Sequence, residues 1–165
     1  MAITETKTKY GQVHGVQKDG YTVFRGAPYA KPPVGEKRFC PPEEPACWEG
    51  VYKADHFGCV CPQTEHEPDS FYGKEFYLDP EFGMKQSEDC LYLNIWTPAN
   101  AADEKLPVAF WIHGGTFMHG FSHESEFDGA AYCERGVILV AINYRLGAFG
   151  FLAHPWLSEE SGAGR

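Results

Sequence analysis

Residues 107–117 read Pro-Val-Ala-Phe-Trp-Ile-His-Gly-Gly-Thr-Phe, an apolar run that breaks into His113-Gly114-Gly115. A strand that ends in paired glycines brings backbone N–H groups to the end of a sheet with no side chain to shield them. Such groups can hold the negative oxygen that forms when a nucleophile attacks an ester carbonyl. That chemistry also needs a nucleophile, and no Gly-x-Ser-x-Gly segment stands among the 165 residues. The chain therefore carries one half of such a site, the half that holds the anion.

The flanking elements must present this turn. Residues 108–112 are short and wholly apolar, as expected of a buried central strand. Residues 137–144, Val-Ile-Leu-Val-Ala-Ile-Asn-Tyr, read as another. Between them, residues 127–135 suit a short helix, with Asp128 capping its start and Gly136 ending it at positive φ. Strand, Gly-rich turn, helix and strand make a βαβ crossover and a parallel pair. Ligands gather at the carboxyl ends of such strands, where residues 113–117 lie.

Upstream, residues 90–96 read as a strand, and residues 10–25 alternate around Asp19-Gly20, a hairpin signal. Residues 26–42 are rich in Pro and Gly and form an irregular, ordered connector. Residues 63–89 form a long polar and aromatic loop. It holds Glu65, Glu67, Asp69, Glu75, Asp79, Glu81, Glu88 and Asp89 against Lys74 and Lys85. Long loops often serve as lids or binding loops, and this one could focus field on a cationic substrate; a solvated surface is the plainer reading. Phe71, Tyr72, Phe76, Tyr77 and Phe82 either line a pocket or pack the loop onto the body. Residues 157–165 read as a polar loop that leads to a further element, or as a frayed end.

A net charge of −9 argues against nucleic acid and against anionic membrane surfaces as partners. Hydrophobic residues at 43% suit a globular core, and no apolar run is long enough to span a bilayer. The N-terminus shows no basic segment followed by an apolar one, so a cytoplasmic setting is expected. Six irregularly spaced cysteines do not form a small disulfide scaffold. Cys59-Val60-Cys61 lacks a second pair at zinc spacing, and His119 and His123 flank Gly120-Phe121-Ser122, which does not favour a helix presenting both. Both histidines are read as loop residues at the pocket rim. No cofactor is implied, and the sequence sets no oligomeric state.

Five segments in order resemble the N-terminal part of a type-B carboxylesterase, the cholinesterase-like branch of the α/β-hydrolases. They are Phe24-Arg25-Gly26-Ala27-Pro28-Tyr29-Ala30 with Pro32-Pro33-Val34-Gly35; Arg38-Phe39 and Trp48; Ser87-Glu88-Asp89-Cys90-Leu91-Tyr92-Leu93-Asn94-Ile95-Trp96; His113-Gly114-Gly115; and Asn143-Tyr144-Arg145-Leu146-Gly147-Ala148-Phe149-Gly150-Phe151-Leu152. The resemblance implies an α/β fold, with an N-terminal hairpin leading into a mixed, mainly parallel sheet. It also implies that residues 1–165 are the N-terminal part of one domain, incomplete at the C-terminus. The nucleophile, acid and histidine base would all lie downstream of Arg165. His113 is not that base, because the order in this superfamily is Ser, acid, His.

By the same resemblance the oxyanion donors are the N–H groups of Gly115 and Thr116, with Gly114 freeing the turn. Thr116 departs from the commoner glycine. A β-branched residue disfavours positive φ, so strain of roughly 1–3 kcal/mol follows if the turn needs that region; at negative φ the cost is small. Arg38 and Glu88 match a structural ion pair, and two solvated charges are the alternative. Cys61 and Cys90 match the pair that closes the family's Ω-shaped loop, either bonded or as thiols. Asn143 and Arg145 are expected to fix backbone near the site. The choline-binding tryptophan of cholinesterases has no counterpart in residues 61–90, which speaks against a choline ester. The expected activity is hydrolysis of a small-molecule carboxylic ester through an acyl-enzyme. The alternative is a non-catalytic binding or adhesion module of cholinesterase-like form.

Overall fold

A computed structural model describes residues 1–67, 69–76 and 83–162. Its strands join in one mixed sheet. β1 (Glu5–Lys7), β2 (Gln12–Gln17) and β3 (Thr22–Pro28) are antiparallel in succession, and β4 (Val51–Ala54) runs parallel to β2. β3 is antiparallel to β5 (Tyr92–Thr97), and β5 is antiparallel to β7 (Ile138–Ile142). β7 is parallel to β6 (Val108–Ile112), which ends the sheet. The β2–β3 hairpin turns at Gly20, φ +79°, where Lys18 N–H donates to Tyr21 O at 2.8 Å. No helix among the described residues is long and apolar enough to cross a membrane.

The sheet is mixed as expected, but its parallel share is smaller than expected. A parallel neighbour needs a crossover connection. Only residues 113–137, between β6 and β7, and the stretch from β2 to β4 provide one. Within these 165 residues β6 is not buried as expected. Val108, Phe110 and Ile112 are 58%, 59% and 60% exposed. An apolar run cannot distinguish a central strand from an edge strand, because that depends on what lies beside it.

Three further differences are local. The helix expected over residues 127–135 shrinks to α2 (Ala130–Cys133), preceded by a 3-10 turn at Ser125–Phe127. Asp128 stands one residue before the helix cap: it accepts Ala130 N–H at 2.9 Å and the Trp96 indole N–H at 3.2 Å. Gly136 does end the turn, at φ +71°. The acidic loop contains a short helix, α1 (Phe71–Phe76), and is closed at its neck, where Val60 N–H donates to Lys85 O and Ser87 N–H to Val60 O, both at 2.9 Å. After α3 (Gly147–Phe151), the tail read as a loop is helical through α4 (Pro155–Ser161). Pro155 opens α4, His154 Nδ1 accepts Trp156 N–H, and Gly162 at φ +62° closes it. Residues 163–165 lie outside the described residues, as do Asp79, Glu81, Tyr77 and Phe82 and the side chains of Tyr72 and Phe76.

The core explains several of the resembling segments. Gly26 sits at a bulge between Phe24 and Ala27 with φ +65°, and a β-carbon there would lie 2.6 Å from His56 O. Its N–H donates to Asn94 Oδ1 at 2.8 Å, which links the first segment to the third. Trp48 packs on Gly11 and donates to Gln12 O at 2.8 Å. Val23, Trp96, Leu139, Ala141 and Cys133 form the apolar layer between the sheet and α2.

Candidate active site

The turn after β6 is built on three successive residues at positive φ: Gly115 (+108°), Thr116 (+53°) and Phe117 (+64°). Thr116 therefore takes the strained branch of the two expected, and Phe117 joins it, at roughly 1–3 kcal/mol each. Thr116 Oγ1 donates to Gly115 O at 2.8 Å, and that oxygen also accepts Met118 N–H at 3.0 Å and His119 N–H at 3.2 Å. Gly115 admits no side chain, since a β-carbon would lie 1.8 Å from His119 O. Among the described residues the N–H groups of Gly115 and Thr116 have no acceptor. Thr116 is exposed and Gly115 half-buried.

The aim of the Gly115 N–H follows from the plane of one peptide. Gly114 O and Gly115 N–H belong to the same planar unit, so holding the oxygen directs the hydrogen. His113 Nδ1 lies 2.8 Å from Gly114 O. A carbonyl can only accept, so Nδ1 carries the proton. Burial, with only 3% of His113 exposed, pushes its imidazole below the ordinary value, against the hydrogen bond to Gly114 O, which acts to raise it. The ring stacks on Tyr144 at 4.3 Å between centroids, and the Tyr144 hydroxyl donates to His113 O at 2.8 Å. On the far side, Gly147 N–H donates to Phe117 O at 2.7 Å.

Behind the turn runs a buried amide network. Asn94 Nδ2 donates to Ser122 Oγ at 2.9 Å, and Ser122 N–H donates to Asn143 Oδ1 at 2.8 Å. Asn143 Nδ2 reaches Cys59 O at 3.2 Å, while Asn143 O accepts the Tyr29 hydroxyl at 2.6 Å. Arg145 Nη1 donates to Cys40 O at 2.9 Å and so ties down the Pro-rich connector. Sequence reasoning missed Gln63, whose side chain grips Gly120 from the neck of the acidic loop: Oε1 accepts Gly120 N–H at 2.7 Å and Nε2 donates to Gly120 O at 3.1 Å. No spacing rule singles out one glutamine in a polar loop.

The structure brings Arg38 and Glu88 together as a two-bond pair. Nε donates to Oε2 at 2.6 Å, Nη2 pairs with Oε1, and the carboxylate holds the guanidinium above its usual range. Cys61 and Cys90 meet as buried free thiols. Hydrogen bonding between them lowers Cys61 and raises Cys90. Leu146 N–H donates to Cys61 Sγ at 3.0 Å.

Of the two histidines expected at the rim, His119 is exposed, with its ring edge-on to His66 at 6.0 Å. His123 is not at the rim. It is 1% exposed and stacked on Phe57 at 4.4 Å, because flanking aromatics make a slot for a flat ring. Phe71 is exposed on α1.

The mixed sheet, with the turn at residues 113–117 at the carboxyl end of β6, has the architecture of the α/β-hydrolase carboxylesterases among solved structures. The chain belongs to the carboxylesterase family, whose model, "Carboxylesterase family", matches residues 3–161. It is 44% identical over 146 residues to para-nitrobenzyl esterase of Bacillus subtilis, covering 88% of this chain and 28% of that protein. It is 42% identical over 154 residues to fumonisin B1 esterase of Sphingopyxis macrogoltabida, covering 93% and 26%. Among solved structures it resembles the Geobacillus stearothermophilus carboxylesterase EST55 (TM-score 0.75, 44% identity, 91% and 28% covered). It also resembles a PNB esterase (TM-score 0.81, 40% identity, 97% and 31% covered). The chain thus spans little more than a quarter of the length of the relatives it matches.

Proposed function

We propose that the protein to which this chain belongs hydrolyses small-molecule carboxylic esters, and that residues 113–117 hold the oxyanion. The observation that carries this reading is the pair of N–H groups at Gly115 and Thr116, which have no acceptor among the described residues, on a turn held at positive φ. The nucleophile, its base and the acid would come from sequence outside these 165 residues. Serine Oγ would bond to the ester carbonyl carbon while the base takes its proton. The negative oxygen would rest on the Gly115 and Thr116 N–H groups, and the C–O bond to the alcohol would break as the base returns the proton. Water would then release the acid from the acyl-enzyme. Arg38, Glu88, Cys61 and Cys90 would serve the shape of the site and not its chemistry.

A fluorophosphonate probe tests this reading. The full-length protein is expected to be labelled and to hydrolyse a simple aryl ester, while residues 1–165 alone turn over none by a probe-sensitive route. A full-length protein that takes no label would reject the esterase and favour the non-catalytic module.

A further inference from the structure

The turn that carries the candidate donors holds its shape at a cost. Thr116 and Phe117 both have β-carbons and both sit at positive φ. Such residues persist only where the surroundings over-determine them. Inside the turn, backbone closure comes only from Gly115 O, which accepts from Met118 and His119. The remaining restraint comes from outside. Tyr144 holds the entry at His113 O, Gly147 holds Phe117 O, and Gln63 holds the exit at Gly120.

The Gln63 contact has the form of a strand pairing. One carboxamide both accepts from Gly120 N–H and donates to Gly120 O, and its Nε2 also donates to Cys61 O at 3.1 Å. Gln63 is itself fixed, because its N–H donates to Gln86 Oε1 at 2.6 Å. Gly120 in turn lies against the base of the turn. At φ +102°, a β-carbon on it would meet His113 Nδ1 at 2.7 Å and Gly114 O at 2.8 Å. The residue gripped by Gln63 is therefore pressed onto the two groups, His113 and the Gly114 carbonyl, that set the direction of the Gly115 N–H.

We propose that Gln63 is a positioning residue for the oxyanion site: its carboxamide clamps Gly120, and Gly120 holds the Gly114–Gly115 peptide at the angle that aims its N–H. This rests on the oxyanion reading of residues 113–117. It assigns one side chain of the acidic loop a part in transition-state stabilisation, although that side chain never touches substrate.

The test is carried out on the full-length protein. Gln63→Glu keeps the acceptor but sets a carboxylate oxygen against two carbonyls; Gln63→Met keeps the length and loses the three side-chain bonds. Both are expected to lower kcat about tenfold to a hundredfold, with KM within about threefold. Affinity for a trifluoromethyl ketone transition-state analogue should fall by the same factor as kcat/KM, while affinity for the product acid stays within about twofold. A general loosening of the fold would weaken both ligands alike. If either variant does not fold, Gln63→Asn is measured by the same ratio and should show an intermediate loss.

Gly115→Ala is run alongside. If it leaves kcat unchanged, the oxyanion reading itself fails. If it lowers kcat while the Gln63 variants do not, or if those variants lose both ligands equally, the clamp is overturned and the oxyanion reading stands.

Discussion

Thr116 has a left-handed backbone, an exposed side chain and an N–H with no acceptor among the described residues. Glycine would adopt that conformation without strain, so Thr116→Gly in the full-length protein should raise Tm or leave it unchanged, with kcat within a few-fold; a clear fall in Tm would contradict the strain argument. Gly115→Ala works in the opposite sense. Its β-carbon would be driven into His119 O, and kcat should fall about 10²–10³-fold through a displaced donor. At this scale the glycines were legible, because their type announces the conformation. The conformations of Thr116 and Phe117 were not, since neither residue type signals positive φ. Gln63 was not legible either: its role depends on Gly120, 57 positions away, and no local pattern encodes that meeting.

His123 shows how an element's packing creates pH dependence. The ring is buried between aromatics, with 1% of the residue exposed. Burial foremost pushes its pKa down to about 4; a hydrogen bond with the Gly83 backbone opposes the fall, and the nearby Arg25 charge adds to it. The folded value lies below the unfolded one of about 6.5, so unfolding takes up a proton. This contribution to stability is complete above about pH 6.5 and is lost as the pH falls towards 4, at up to about 1.4 kcal/mol per unit. Denaturant unfolding of the full-length protein from pH 7 to 4.5 should show His123→Phe flattening that slope; equal slopes would contradict it. Asn94 makes the complementary case within β5. Asn94→Ala would strand Gly26 N–H and Ser122 Oγ, at an expected cost of about 1–3 kcal/mol by the same unfolding measurement. The strands and the hairpin were legible because alternation and apolar runs are local. The length of α2, the helical tail and the burial of His123 were not, because each is set by contacts with other elements.

Within these 165 residues the sheet ends on an apolar strand. Val108, Phe110 and Ile112 stand exposed on β6, with a strand edge open beside them. Exposed apolar edges template association. The isolated 165-residue chain should therefore self-associate in light scattering, and Phe110→Lys should reduce this; a stable monomer would contradict the expectation. The identity of the family was legible at this scale, because five segments spread over the chain match in order. The exposure of β6 within these 165 residues was not, since the apolar run says nothing of its neighbours. The central claim, that Gly115 and Thr116 hold the oxyanion, is tested most directly by a crystal structure of the full-length protein with a bound trifluoromethyl ketone. The hemiketal oxygen should lie about 2.7–3.1 Å from both backbone nitrogens. An oxygen turned to solvent, or held by other donors, would contradict it.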